Sequence, residues 1–194
     1  MVGLGNPGKK YAFNRHNIGF LALDLFAEGL GAKDWGQDHK ALIARTRLVH
    51  QNQDIDLILA KPQTFMNLSG QSVQSLLSYY KISLDDLLVV QDDIDQPFGQ
   101  LRFHRNRGHG GHNGIRNISE LLGQSDYARL KLGVGRPPHP QMEVADYVLQ
   151  NFSSEEQDKL SEFLNLAGDA MESFMFEGLA AATNRFNGKS VEVK

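Results

Sequence analysis

The chain contains no cysteine, which excludes disulfide frameworks, thiolate zinc sites and cysteine nucleophiles. No apolar run approaches the roughly 20 residues that a membrane helix needs. Residues 1–5 lack the basic n-region and apolar h-region of a secretory signal, so a cytoplasmic protein is expected. No Gly-Lys-Ser/Thr follows the glycine-rich stretch, which rules out the phosphate loop of nucleotide hydrolases. Gly-x-Ser-x-Gly is also missing, and Ser69 stands in an ordinary helical context, so no nucleophilic serine is evident. A net charge of −3 argues against a uniformly basic nucleic-acid binder.

What is present fits one α/β domain over residues 1–194, with 41% hydrophobic and 22% charged residues. The charge is unevenly spread. Between Phe98 and Arg136 the basic residues are Arg102, Arg105, Arg107, Arg116, Arg129, Lys131 and Arg136, against only Glu120 and Asp126. A basic face on an acidic body is what a local polyanion site requires. Inside that segment lies Arg107-Gly108-His109-Gly110-Gly111-His112-Asn113-Gly114. A plain turn needs one or two glycines, and this stretch has four. Ile115, Ile118, Leu121 and Leu122 then recur at helical spacing, so the stretch reads as a loop running into a helix N-terminus.

Residues 2–4 look like a buried strand that is short for an opening element, which suggests that it starts further upstream. Gly5-Asn6-Pro7-Gly8 is a turn, and a polar stretch from Tyr11 to Asn17 precedes a helix carrying Ile18, Leu21, Leu25 and Phe26 that Gly29 and Gly31 end. Residues 33–40 read as irregular, and 42–49 with 55–60 as a hairpin. Asn67 falls at the junction into a helix running through Val73, Leu76, Leu77 and Tyr80, where an N-cap role is natural. Phe65 and Met66 read as core or as the lining of an apolar cleft. Residues 87–90 form a short continuous apolar run suited to a central parallel strand, and it delivers Asp92, Asp93 and Asp95 at its end. Strands at 100–104 and 129–134 follow. Residues 136–140 read as a stiff rim or lid. The last helix opens on a capping box, Ser153 with Glu156; Gly178 breaks it, and the chain from Gly188 reads as frayed. The expected architecture is a mixed, twisted sheet with helices on both faces.

Three strand ends thus deliver polar groups that could share a cleft: Asn6 with His16, Asn67, and Asp92. The glycine loop adds His109, His112 and Asn113. A histidine whose tautomer is fixed by an aspartate makes a general base, and without a nucleophilic side chain it would activate water. The asparagines would orient water and substrate and donate to a developing oxyanion. A metal site from His109, His112 and the aspartates is the rival reading.

These residues resemble the bacterial peptidyl-tRNA hydrolase family. The resemblance rests on Gly3-Leu4-Gly5-Asn6-Pro7-Gly8 with Tyr11, Arg15-His16-Asn17, residues 64–70, Asp92-Asp93-Ile94-Asp95, and residues 108–114, in register along almost the whole chain. It implies a single-domain, metal-free, cofactor-free and usually monomeric enzyme. Such an enzyme cleaves the ester between a peptide and the 3′ ribose of tRNA, and contacts the acceptor end of that tRNA. By position, His16 corresponds to the catalytic histidine and Asp92 to its aspartate. Asn6, Asn67 and Asn113 correspond to cleft asparagines, Asn113 serving the attacking water and the oxyanion. Tyr11 and Met66 correspond to cleft-lining positions, and His112 to a residue associated with the tRNA 3′ end. The family's basic pair for the tRNA 5′ phosphate falls on His104 and Lys131. His104 departs from that pattern, and Arg102, Arg105 and Arg107 are candidates to compensate. Gln91 stands where many members have histidine. A tRNA- or RNA-binding relative that has lost catalysis is the alternative.

Overall fold

Alternation along one strand divides the protein into two layers. In the computed structural model, which describes residues 1–192, strand β5 (Leu88–Asp93) is buried throughout. Leu88 and Val90 face a core with Leu130 and Leu132, whereas Leu87 and Val89 face a second core with Ile115 and Ile118. Helices α1 (Ile18–Gly29) and α5 (Ser154–Phe186) cover the first face, and α2 (Ser69–Tyr80) and α3 (Asn113–Leu122) cover the second. A strand buried on both faces cannot spare polar side chains until its end, which is where Asp92 and Asp93 occur.

The other strands are β1 (Val2–Gly3), β2 (Gly36–Asp38), β3 (Ala41–His50), β4 (Gln53–Pro62), β6 (Leu101–Arg105) and β7 (Ala128–Gly133). They form one mixed sheet in the order β2-β3-β4-β1-β5-β7-β6. Its central strands β4, β1, β5 and β7 run parallel, with Val2 beside Ala60 and Val89, and Asp92 beside Leu132. The hairpin β3–β4 and the pair β6–β7 are antiparallel. The mixed sheet with helices on both faces is as the sequence predicts.

The differences are local. Residues 36–38 form an edge strand although all three are exposed, so no apolar alternation marks it. A short helix α4 (Val144–Val148) lies beyond the 136–140 loop. The capping box forms, with the Glu156 N–H donating to Ser153 Oγ at 3.2 Å and the Ser153 N–H to Glu156 Oε2 at 2.7 Å. Gly178 interrupts α5 with φ of 81°. The tail does not fray at Gly188. The Leu101 N–H donates to the Lys189 carbonyl, the Val191 N–H to Gly99, and Val191 joins the core. A single apolar residue suffices for that docking and leaves no periodicity to read.

Candidate active site

His16 is placed by two glycines. A Cβ on Gly3 would lie 2.2 Å from the Gly19 carbonyl oxygen, and one on Gly19 would lie 2.5 Å from both Leu4 N and the Val90 carbonyl oxygen. Only bare backbone allows α1 to rest this closely on β1 and β5. The contact sets the 3₁₀ turn Arg15–Asn17 over the C-terminal end of β5. Arg15, itself buried, ties that turn to the start of α5. Its guanidinium donates to the Asn151 carbonyl at 2.7 Å and to Glu156 at 2.6 Å, and it lies 4.4 Å over the Tyr147 ring.

Two histidines converge on one carboxylate oxygen. His16 Nδ1 lies 2.8 Å from Asp92 Oδ1, and His112 Nε2 lies 2.9 Å from the same atom. The ring centroids are 5.1 Å apart. A carboxylate can only accept, so both rings present N–H to it. In His112 the hydrogen is on Nε2, and Nδ1 accepts from the Ile115 N–H, which makes His112 the N-cap of α3. In neutral His16 the hydrogen is on Nδ1, and Nε2 is left with its lone pair. Burial of Asp92 favours the neutral acid. The electrostatic attraction of the His16 and His112 rings and the N–H groups they donate outweigh this and hold its carboxyl well below the usual carboxylate range. For His16, burial opposes the imidazolium, but the Asp92 charge and hydrogen bond prevail and raise the pKa above its ordinary 6.5.

The same three side chains are the His/Asp group that could hold an ion among the described residues, each offering one ligand atom within a 4.8 Å span. An ion there would have to replace the two hydrogens now shared with Asp92 Oδ1. His109 is not part of that group, so the rival metal set of His109, His112 and the aspartates is not brought together. Its Nδ1 accepts from the Gly111 N–H inside its own loop.

The asparagines divide into held and free. Asn6 is buried, and its Oδ1 accepts from the Met66 N–H at 2.8 Å. Its backbone is gripped from both sides by Asn17, whose Oδ1 accepts from the Asn6 N–H and whose Nδ2 donates to the Asn6 carbonyl, each at 2.9 Å. With Oδ1 occupied, Asn6 keeps Nδ2 as a donor in a fixed direction. Asn113 is exposed on the first turn of α3, next to His112. Asn67 is exposed within the 3₁₀ turn Met66–Leu68 and is not an N-cap, because α2 begins at Ser69 after Leu68. Met66 is core, and its sulfur would lie 2.6 Å from a Cβ on Gly114. Phe65 is 56% exposed and is not part of the core, because the turn places successive side chains on opposite sides. Tyr11 is half-buried at the end of the turn Lys9–Tyr11.

The basic residues also separate. Arg102 and His104 of β6 pair in register with Lys131 and Arg129 of β7, on the sheet face opposite Phe103, Leu130 and Leu132. Lys131 is engaged by Asp93 at 2.8 Å. Burial lowers the His104 pKa, and Lys131, Arg102, Arg129 and Arg107 lower it further, so the ring is neutral at pH 7. Arg107 and Arg102 are exposed. Arg105 is a correction. It pairs with Ala128 at the far end of β7 and binds Asp126 at 2.7 Å and Asp85, so it lies away from the Asp92 end with its charge matched. Of the remaining acids, Asp93 also accepts from Gln96, and Asp95 pairs with Arg136.

Sequence reasoning gave no individual role to Arg15 and Asn17 and counted Arg129 only within the basic segment; all three are buried and hold the site's backbone. A charged or amide residue in an otherwise apolar register was the only available signal. A cavity of about 1010 Å³ is lined by Met1, Leu87 and Ala128 and opens at the N-terminal end of the parallel strands, opposite Asp92.

A family profile described as peptidyl-tRNA hydrolase matches residues 1–194. A peptidyl-tRNA hydrolase of Bdellovibrio bacteriovorus is 52% identical over 187 residues, covering 96% of this chain and 98% of that one. One from a Geobacter species is 44% identical over 189 residues, covering 97% of each. Among solved structures, a peptidyl-tRNA hydrolase complexed with n-propanol superposes with a TM-score of 0.87 at 31% identity, covering 98% of this chain and 95% of that one. The Acinetobacter baumannii enzyme gives 0.86 at 32%, covering 97% and 94%.

Proposed function

We infer the chemistry of the cleft from one premise: this chain belongs to the peptidyl-tRNA hydrolase family. It hydrolyses the ester that joins a peptide to the 3′ ribose of tRNA, and so returns tRNA from prematurely released peptidyl-tRNA. The observation that carries the mechanism is the His16–Asp92 pair, which ties up Nδ1 and leaves Nε2 as the base.

Neutral His16 takes a proton from water at Nε2 as the water oxygen bonds to the ester carbonyl carbon. The oxyanion accepts from the Asn113 side chain and neighbouring N–H groups. Collapse breaks the carbon–oxygen bond to the ribose, and the leaving oxygen takes the proton back from His16. The products are tRNA with a free 3′ hydroxyl and a peptide carboxylic acid, which releases its proton to solvent to become the carboxylate. Asp92 keeps the ring in the Nδ1–H tautomer and stabilises the imidazolium that forms. Asn6 and Asn67 hold the peptide backbone, and Tyr11, Met66 and His112 shape the cleft around the ester. Arg102, Arg107, His104 and Lys131 face the tRNA, and a neutral His104 makes its phosphate contact weak. We assign the enzyme to the cytoplasm, where its substrate is, and to a monomer, since one chain supplies every group in this scheme. No helix among the described residues is long and apolar enough to cross a membrane.

The test is release of tRNA from purified N-acetyl-aminoacyl-tRNA by wild type and His16→Ala, with and without EDTA. Turnover that survives EDTA and is lost in the variant is expected. Loss in EDTA would move the chemistry to an ion held by His16, Asp92 and His112. Near-normal turnover by His16→Ala would remove the base from the mechanism.

A further inference from the structure

Arg129 takes no part in the scheme above, yet it is the largest fully buried side chain among the described residues, 2% exposed. It stands on the α3 face of β7 between Val89 and His104. Among the described residues its guanidinium makes no bond to a carboxylate. Nη1 donates to the Gly108 carbonyl at 3.1 Å and Nη2 to the Arg107 carbonyl at 2.6 Å, while Nε is buried without a partner. Asp93, the acid that acts on it at a distance, is bonded to Lys131. A buried cation without an ion pair is costly, and an apolar side chain would fill the space without that cost. What only arginine supplies is a rigid fork of parallel donors for two consecutive carbonyls.

The loop it holds has little else to hold it. Residues 106–111 are exposed, and a Cβ on Gly108, Gly110 or Gly111 would meet nothing within 4 Å. Each peptide unit is trans and planar, so its C=O and N–H point in opposite directions. Drawing the Arg107 and Gly108 carbonyls inward therefore turns the N–H groups of Gly108 and His109 outward. Two successive outward N–H groups make a concavity suited to an anion. They lie on the loop that begins beside the exposed Arg107 and ends at His112 and Asn113.

We propose that Arg129 is a positioning residue for tRNA: its grip on two loop carbonyls presents the Gly108 and His109 N–H groups to a phosphate oxygen of the acceptor end. This rests on the peptidyl-tRNA reading above, and it assigns Arg129 no contact with the substrate.

The test uses Arg129→Lys, which keeps the charge and loses the fork. His109→Pro removes one outward N–H and leaves the sheet untouched. Each variant raises KM for N-acetyl-aminoacyl-tRNA about tenfold, the worth of one charge-assisted hydrogen bond, with kcat within about twofold. The acid limb of the pH profile stays in place, and the salt dependence of KM is unchanged, because the N–H groups carry no charge and neither variant removes a cation. Binding of deacylated tRNA, followed by fluorescence anisotropy, weakens in parallel and needs no turnover. Wild type that binds tRNA without cleaving it would overturn the functional reading and leave the loop assignment to the binding data. Unchanged binding and KM in both variants would overturn the assignment. So would a fall in kcat with Arg129→Lys while His109→Pro behaves as wild type, because Arg129 would then serve only the fold. If Arg129→Lys does not fold, His109→Pro decides alone.

Discussion

Nδ1 of His16 and Oδ1 of Asp92 lie 2.8 Å apart in a largely water-excluded site, and the carboxylate raises the imidazole pKa above 6.5. A general base works only when neutral. Activity therefore rises with pH through a limb whose midpoint is above 6.5 and then levels. Asp92→Asn removes the charge that raises the pKa, so the limb moves to lower pH while the plateau falls about 10²- to 10⁴-fold. Steady-state kcat/KM between pH 5 and 9 measures both. A limb that stays where it was in Asp92→Asn would show that another group titrates.

His112 competes with His16 for the same oxygen. Its N–H withdraws negative charge from Asp92, so His112→Ala leaves more of that charge to His16 and moves the acid limb upward. The variant is impaired at pH 7 and recovers part of the loss near pH 9. It also loses the α3 cap, which lowers stability by about 1 kcal/mol. A parallel loss at every pH would mean that His112 acts on the substrate and not through Asp92.

Gly19→Ala forces a methyl against Leu4 N and the Val90 carbonyl, which are backbone atoms and cannot swing away. Overpacking of this kind costs about 1–3 kcal/mol or more, and relief requires α1 to lift from the sheet. Because the turn carrying His16 leads directly into α1, kcat falls along with the melting temperature. Gly29→Ala, at a position where a Cβ meets nothing within 4 Å, leaves activity intact and stabilises by about 0.4–1 kcal/mol. Equal melting temperatures for the two variants would refute the close-packing account.

Asp92 also governs acid stability. Its folded pKa is depressed, so its contribution is complete above the unfolded value of about 3.9 and is lost as pH falls through the folded value. His16 has the opposite sign. Its raised pKa contributes below the unfolded value of about 6.5 and fades as pH rises through the folded value. Chemical denaturation of wild type and Asp92→Asn at pH 7 and pH 3 should show a smaller loss for the variant on acidification. Equal losses would place the acid sensitivity elsewhere.

Much of the fold is legible along the chain because its causes are local. The apolar run at 87–90, the hairpin alternation and the Ser153–Glu156 cap each act over a few residues, and each element forms where those signals lie. Signals fail where burial is set from a distance. Edge strand β2 has no apolar face, Val191 docks as a single residue, and Phe65 leaves the core because of a 3₁₀ turn that its sequence does not mark.

The same division holds for the site. The sequence by itself determined which residue types stand at the strand ends: His16, Asp92, the asparagines and the glycine loop. Their family pattern could be read without coordinates. Only the tertiary structure decided that His16 and His112, 76 and 20 residues from Asp92 along the chain, share one of its oxygens. It also decided that Lys131 and Arg105 are already bonded to aspartates. The physical reason is range. Propensity, capping and periodicity act over a turn or two, whereas strand order and the close approach of Gly3 to Gly19 are fixed by burying two cores at once. That packing sets the distances on which proton transfer depends.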